Sequence, residues 1–305
     1  MKVGAVIRLV EDRGADDAGS GRCPSFSEIL ATARHMEAAG FDSMWVFDHL
    51  LYRPPAQATI GVWEGWTMLS ALAAATERIE LGALVTCSQF RNPALLAKMA
   101  VTVDEISGGR LIFGIGAGWN EPEFRAFGIP LDHRVGRFEE ALQIIVPLLR
   151  EGHVDFSGRF YSARDCELNP RGPRPNGPPV LIGAWRARLL RLAARYADVW
   201  NAGYYSRVET FAEQRAAFET ARAEVGGQSV EISATLKVAW EDLGQPPGFF
   251  GSDYVTGPAD AIAEILSEYA ESGVAHVMCQ YHPTTEVALE RLSEALAAYR
   301  SLENV

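Results

Sequence analysis

The sequence predicts a closed (β/α)8 TIM barrel with insertions after its fourth and seventh strands. Three observations carry this: eight short apolar runs recur along the chain, segments of helical period separate them, and the runs lack the polar alternation of half-solvated strands. Strands apolar on both faces that alternate with helices build a parallel sheet covered by helices. Eight such units close a barrel of about 250 residues. The 305 residues present leave room for insertions. A doubly wound open sheet is the competing arrangement of the same pattern.

The strand runs are KVGAVIRLV from Lys2, SMWVFDH from Ser43, IELGALVT from Ile79, LIFGIGAG from Leu111, PVLIGA from Pro179, DVWNAG from Asp198, EISATLKVAW from Glu231 and HVMCQY from His276. Helical period fills residues 26–39, 66–75, 93–106, 134–149, 186–196, 207–225, 259–272 and 285–302. Boundary signals agree: Ser25 and Ser27 precede the first helix and Gly40 follows it, SGG closes the helix ending at Ile106, and Pro258 opens a later one. The extra length falls in residues 119–178, which end NPRGPRPNGPP, and in residues 241–257, EDLGQPPGFFGSDYVTG. Residues 10–25 and 241–257, rich in Gly and Asp, are expected to be lids. No linker interrupts the pattern, so residues 1–305 are expected to form a single domain.

A net charge of −11 and a pI near 5.1 argue against nucleic acid and anionic membrane surfaces as partners. A small molecule fits better. No apolar run approaches the roughly 18 residues of a membrane span, and Met1 leads directly into a strand, so a cytoplasmic protein is expected. Cys23, Cys87, Cys166 and Cys279 lie far apart without C-x-x-C spacing, which disfavours a zinc knuckle and a disulfide framework and leaves them as small apolar fillers. His49 has no H-x-H partner, and His35, His133, His153, His276 and His282 show no ligand spacing, so no metal is expected. Between Ala94 and Val103 only Lys98 and Thr102 are polar, and residues 66–75 are similarly apolar. Two adjacent helices with two apolar faces predict a homodimer interface, with burial under an inserted loop as the alternative.

Function in such a barrel collects where strands end on the C-terminal side. The second strand ends in Asp48 and His49; an imidazole can pass a proton near neutral pH, and the carboxylate can hold a bound ring. Standing alone, His49 would read as a loop histidine satisfying backbone groups. It does not stand alone. The third strand ends with Thr86, Ser88 and Gln89 above small Ala83 and Leu84. The fourth ends GIGAGWN, whose Gly114, Gly116 and Gly118 would let a flat group approach the backbone, followed by Trp119 and Asn120. A dinucleotide-binding G-x-G-x-x-G would need glycine at Trp119. After the fifth strand, Ala184, Trp185 and Arg186 open a helix whose free N–H groups suit a phosphate. Arg8, Lys237 and Gln280 end other strands and are candidates for the substrate pocket, with Trp119 as an apolar wall.

VFDHL in the second strand, the run RIELGALVTCSQFRNPALLAKMAVTVDEISGGRLIFGIGAGWNEPEFRAFGIP, and LRLAARYADVWN resemble the bacterial luciferase-like monooxygenase family, including its F420-dependent members. The resemblance implies a barrel that binds a reduced flavin, either reduced FMN or coenzyme F420, in its C-terminal mouth, usually as a homodimer. It implies a monooxygenase acting with O2 on a small organic substrate, served by a separate flavin reductase. F420-dependent hydride transfer without O2 is the alternative reading, and a non-catalytic flavin-binding protein a further one. Carried over, Asp48 matches a ring contact and His49 the active-site histidine. Ala83 and Leu84 match the place of a bulge with a non-proline cis peptide behind the ring. Thr86, Ala117, Gly118 and Asn120 match ring contacts, and Ala184, Trp185 and Arg186 match the phosphate seat. Relatives that oxidise sugar phosphates or alcohols carry Glu where this chain has Trp119, which argues against those reactions.

Overall fold

The computed structural model describes residues 1–11, 21–54, 58–205, 207–227, 229–244 and 253–303. The first half of the chain runs β1 (Lys2–Val6), α1 (Phe26–Ala38), β2 (Ser43–Val46), α2 (Gly65–Ala75), β3 (Glu80–Ala83), β4 (Thr86–Cys87), α3 (Pro93–Ile106) and β5 (Leu111–Gly116). An insertion follows: α4 (Glu121–Ala126), α5 (Arg134–Glu151), β6 (His153–Ser157) and β7 (Ser162–Glu167). The second half runs β8 (Val180–Gly183), α6 (Ala187–Tyr196), β9 (Val199–Tyr204), α7 (Val208–Val225), β10 (Glu231–Ala239), β11 (Val255–Thr256), α8 (Ala259–Glu271), β12 (His276–His282) and α9 (Glu286–Glu303).

The strands β1, β2, β3, β5, β8, β9, β10 and β12 pair in that order, all parallel, and β12 returns to β1 with Lys2 opposite His276. This closure makes the barrel and rules out the open sheet. Each predicted strand run is a barrel strand, and helices fill each predicted helical segment within a residue or two. The predicted caps form in part: Ser25 and Glu28 make a reciprocal capping box at the start of α1. The elements of the insertions went unread, among them α4 and the strands β6 and β7. β6 and β7 form an antiparallel hairpin inside the insertion, and their sequences HVDFS and SARDCE carry too little apolar periodicity to announce it.

Packing divides into two regions. Outward residues of the strands meet the helices in one large layer that includes Ile7, Met44, Val46, Leu81, Phe113, Leu236, Cys279 and Tyr281. Inward residues Val6, Trp45, Phe47, Leu84, Ile112, Leu181, Val199 and Met278 fill the barrel lumen. Trp45 occupies space that only glycines leave open: a Cβ at Gly82 would lie 2.6 Å from its ring, and one at Gly4 2.9 Å from its Nε1. The indole N–H donates to Ser43 Oγ at 2.7 Å, and that hydroxyl lies 2.7 Å from His276 Nε2. Burial holds His276 down at about 3, so the ring is neutral beside the Ser43 hydroxyl. Cys87 and Cys279 are buried free thiols, each pushed up to about 12 by that burial, as apolar fillers would be.

Among the described residues, no helix is long and apolar enough to cross a membrane. Parts of the two expected lids, 12–20 and 245–252, lie outside the described residues.

Candidate active site

The second strand delivers Asp48 and His49 to the C-terminal mouth, and the structure gives the two side chains different work. Asp48 is buried and faces Arg91, whose guanidinium donates to both carboxylate oxygens at 2.8 and 2.9 Å, while the Cys87 N–H donates to Oδ2 at 3.0 Å. Arg91 also pairs with Glu64, which caps α2 by accepting from the Trp66 and Thr67 N–H groups. Burial pushes the Asp48 carboxyl up, and Arg91 pulls it partly back. Asp48 therefore ties strand β2 to β4 and α3. Its three acceptor contacts are to the chain itself, and His49 is not among them.

His49 finds a different carboxylate. Its Nδ1 lies 3.0 Å from Glu123 Oε1 and 3.2 Å from Oε2, and the Leu50 N–H donates to Oε2 at 2.9 Å. Glu123 is buried in α4, the short helix directly after the fourth barrel strand. The His49 side chain keeps 12% exposure, enough to be reached from the mouth. Tyr52 lies against it at 4.4 Å between ring centres, and Trp119 stands edge-on at 5.5 Å. Asn120 braces the same loop by donating from Nδ2 to the Leu51 carbonyl at 2.8 Å.

The third strand breaks between β3 and β4, and the Leu84–Val85 peptide is cis. The sequence expectation placed such a bond at Ala83 and Leu84, one residue earlier. Leu84 packs in the lumen with Val85 beside it. The glycines of the fourth strand serve this break: a Cβ at Gly114 would lie 2.0 Å from the Ala83 carbonyl oxygen, and one at Gly116 2.8 Å from the Val85 side chain. Gly118, at φ +71°, leaves space for Cys87 Sγ and the Phe124 ring. These glycines thus make room for the chain itself. Thr86 is likewise occupied, accepting from Trp66 Nε1 at 3.2 Å. Ala117 is buried, and its carbonyl accepts from Gln89 Nε2 at 3.0 Å.

At the fifth strand, Ala184 is buried and its carbonyl accepts from Trp200 Nε1 at 2.8 Å. Arg186 is the N-cap of α6 without a side-chain cap, which leaves the first N–H groups of that helix open, and Trp185 beside it is 55% exposed. Farther round, strand alternation turns Arg8, Lys237 and Gln280 into the lumen, since Ile7, Leu9, Leu236, Val238, Cys279 and Tyr281 pack outward. Lys237 and Gln280 are register partners on β10 and β12.

Sequence reasoning missed Glu123, Arg91 and Tyr52. Glu123 had a signal, an acidic residue in the first turn of a helix that opens at a strand end. Arg91 and Tyr52 had none beyond lying within a few residues of the barrel rim.

Residues 1–245 match the model of the luciferase-like monooxygenase family. The chain belongs to that family. It is 35% identical over 173 residues to 5,10-methylenetetrahydromethanopterin reductase of Archaeoglobus fulgidus, covering 57% of this chain and 48% of that one. It is 31% identical over 182 residues to the pyrimidine monooxygenase RutA of Allorhizobium ampelinum, again covering 57% of this chain and 48% of the relative. The chain thus spans about half the length of these curated relatives. Its fold is that of an F420-dependent secondary alcohol dehydrogenase solved with an F420-acetone adduct, at 18% identity and a TM-score of 0.80 over 98% of this chain and 99% of the other.

Proposed function

We propose that this luciferase-like protein is a flavin-dependent oxidoreductase, a monooxygenase that uses reduced FMN and O2 on a small organic substrate, with the reduced flavin supplied by a separate flavin reductase. The observation that carries it is the His49–Glu123 pair at the barrel mouth, capped by Tyr52 and Trp119. With Glu123 ionised, Nδ1 of His49 carries the proton, and Nε2 is the ring atom left to accept one. A histidine so oriented is a general acid and base near neutral pH.

The mouth fits a polar ring system. Ser88 Oγ, Gln89 Oε1 and Gln280 Oε1 are buried oxygens at strand ends without a hydrogen-bond partner among the described residues. Such groups need partners when buried, and a flavin offers ring N–H and carbonyl groups. The Leu84–Val85 segment would support the ring, and the open N–H groups at Arg186 would hold its phosphate. When bound, reduced flavin supplies the electrons and the reactivity toward O2. The chain's own residues position it: Arg91 fixes Asp48, Asp48 fixes the backbone at Cys87, and Glu123 fixes His49. Trp119 and Tyr52 shield the imidazole from water.

F420-dependent hydride transfer is the second reading, favoured by the similarity to the Archaeoglobus reductase. Fluorescence titration of the purified protein with FMN and with F420, followed by measurement of O2 uptake during turnover, separates the two. Binding of neither cofactor would reject both. A His49→Ala enzyme that keeps full turnover on a confirmed substrate would remove the histidine from the mechanism.

We also propose a homodimer through α2 and α3. The outward face of α3 leaves Leu95 and Ile106 at 55% and 44% exposure, while Trp66, Leu69 and Leu72 of α2 turn inward. Light scattering on the wild type and on Leu95→Asp tests it, the wild type running as a dimer and the variant as a monomer.

A further inference from the structure

The short helix α4 opens with two side chains that turn away from it. Asn120 is its N-cap, where an asparagine ordinarily accepts from an N–H of the first turn, yet it makes no side-chain cap. Its amide instead donates to the Leu51 carbonyl at 2.8 Å. Glu123 is the third helical residue, from which a glutamate ordinarily reaches back to the N-cap N–H. Its carboxylate is taken up instead by the Leu50 N–H at 2.9 Å and by His49 Nδ1 at 3.0 Å. Asn120 and Glu123 are both buried, at 5% and 1% exposure.

α4 has only six residues, far fewer than a helix needs to hold by itself, so capping groups spent elsewhere are a real loss to it. A local rule broken in this way marks a gain elsewhere in the molecule. The gain is a grip on three consecutive residues: the ring of His49, the N–H of Leu50 and the carbonyl of Leu51. Glu123 alone would leave that segment a hinge. Its contacts stop at Leu50, and a peptide unit pivoting there carries the imidazole off the carboxylate. The Asn120 bond fixes the next carbonyl and removes the pivot. Away from water such bonds meet little competition.

Resting on the reading of His49 as the acid and base of the flavin-dependent reaction, we infer that Asn120 is a positioning residue. Its amide holds the Leu51 carbonyl, and through it the backbone of His49, where Glu123 keeps the imidazole proton on Nδ1 and leaves Nε2 bare. Asn120 thereby acts on the reaction through His49.

Asn120→Asp separates this clamp from the helix, because aspartate is a good N-cap but, ionised, has no hydrogen to give the Leu51 carbonyl. Asn120→Ala removes both cap and clamp. The protein is labelled with heavy nitrogen at its histidines, and the His49 ring signals are identified by their loss in His49→Gln. Proton–nitrogen correlation spectra, recorded with and without flavin, then read which ring nitrogen carries the proton. The wild type is expected to show one form with the proton on Nδ1, and both Asn120 variants a mixture of the two tautomers. With a confirmed substrate, kcat of both variants should fall about tenfold while KM changes little. Arg125→Ala breaks the exposed pair with Glu121 in the same helix and spares the clamp, so it should keep the wild-type spectrum and kcat. Melting temperatures report folding. A folded Asn120→Asp protein with the wild-type ring spectrum would overturn the inference, as would a wild type without a fixed Nδ1 proton, or an Arg125→Ala protein that reproduces the tautomer mixture. Flavin affinity is scored separately: the expected spectra in a protein that binds no flavin would keep the clamp and reject the flavin reading, and unchanged spectra in one that binds it would do the opposite.

Discussion

Glu123 grips Nδ1 of His49 with both carboxylate oxygens, at 3.0 and 3.2 Å, and holds the Leu50 N–H as well. One buried side chain from α4 thereby sets the ring orientation, the tautomer and the backbone that carries the ring. Glu123→Gln keeps an acceptor for Leu50 but offers Nδ1 a neutral amide, so the imidazole loses its fixed proton position and its charge partner. A fall in kcat of about 100-fold is expected, by analogy with other oriented histidines. Melting temperature should change little. Glu123→Asp separates the causes, because a shorter carboxylate that still reaches Nδ1 should recover part of kcat, whereas a merely structural defect would not be rescued by it.

Arg91 compensates the buried Asp48 charge. Arg91→Met leaves that carboxylate without its partner, and such losses cost about 3–5 kcal/mol. Burial already raises the Asp48 carboxyl, and removing Arg91 raises it further. An acid whose folded value lies above its unfolded one contributes stability at low pH that is lost as pH rises through the folded value. The deficit of Arg91→Met should therefore be smaller near pH 4 than at pH 7. Urea melts at the two pH values measure it, and an equal deficit at both would mean that Asp48 is not the cause.

The barrel was legible because its signal is repeated: each of the eight strand runs is apolar on both faces, and a misreading of one would have been outvoted by the others. The site was legible only where it coincides with a strand end. His49, Trp119, Lys237 and Gln280 could be placed by alternation, whereas Glu123 reaches His49 across 74 positions of sequence and Arg91 reaches Asp48 across 43. No local pattern encodes such pairs. The need of the GIGAG glycines for space was visible, whereas one occupant of the space at Gly114 and Gly116, the break in the neighbouring strand, was not.

That occupant makes Gly114 the sharpest steric test. The added methyl of Gly114→Ala would meet the Ala83 carbonyl oxygen at 2.0 Å, and a backbone atom cannot rotate away. Overpacking of this kind costs about 1–3 kcal/mol, and here relief requires moving the Leu84–Val85 segment into the mouth. Flavin affinity should fall together with stability. A variant with native stability and native flavin affinity would show that the break in the third strand is not held by Gly114.

At the closed end of the barrel, His276 offers a pH test free of the active site. Its ring is neutral, held at about 3 by burial, and hydrogen-bonds with the Ser43 hydroxyl. The unfolded chain returns it to about 6.5. A histidine whose folded value is depressed gives stability that is present above the unfolded value and lost as pH falls toward the folded one. Between pH 6 and pH 4 the wild type should therefore lose about 1.4 kcal/mol per pH unit from this residue. His276→Asn cannot protonate, so its stability should fall less steeply over the same range, although it begins lower at pH 7. Parallel stability profiles for the two proteins would show that His276 does not titrate on unfolding.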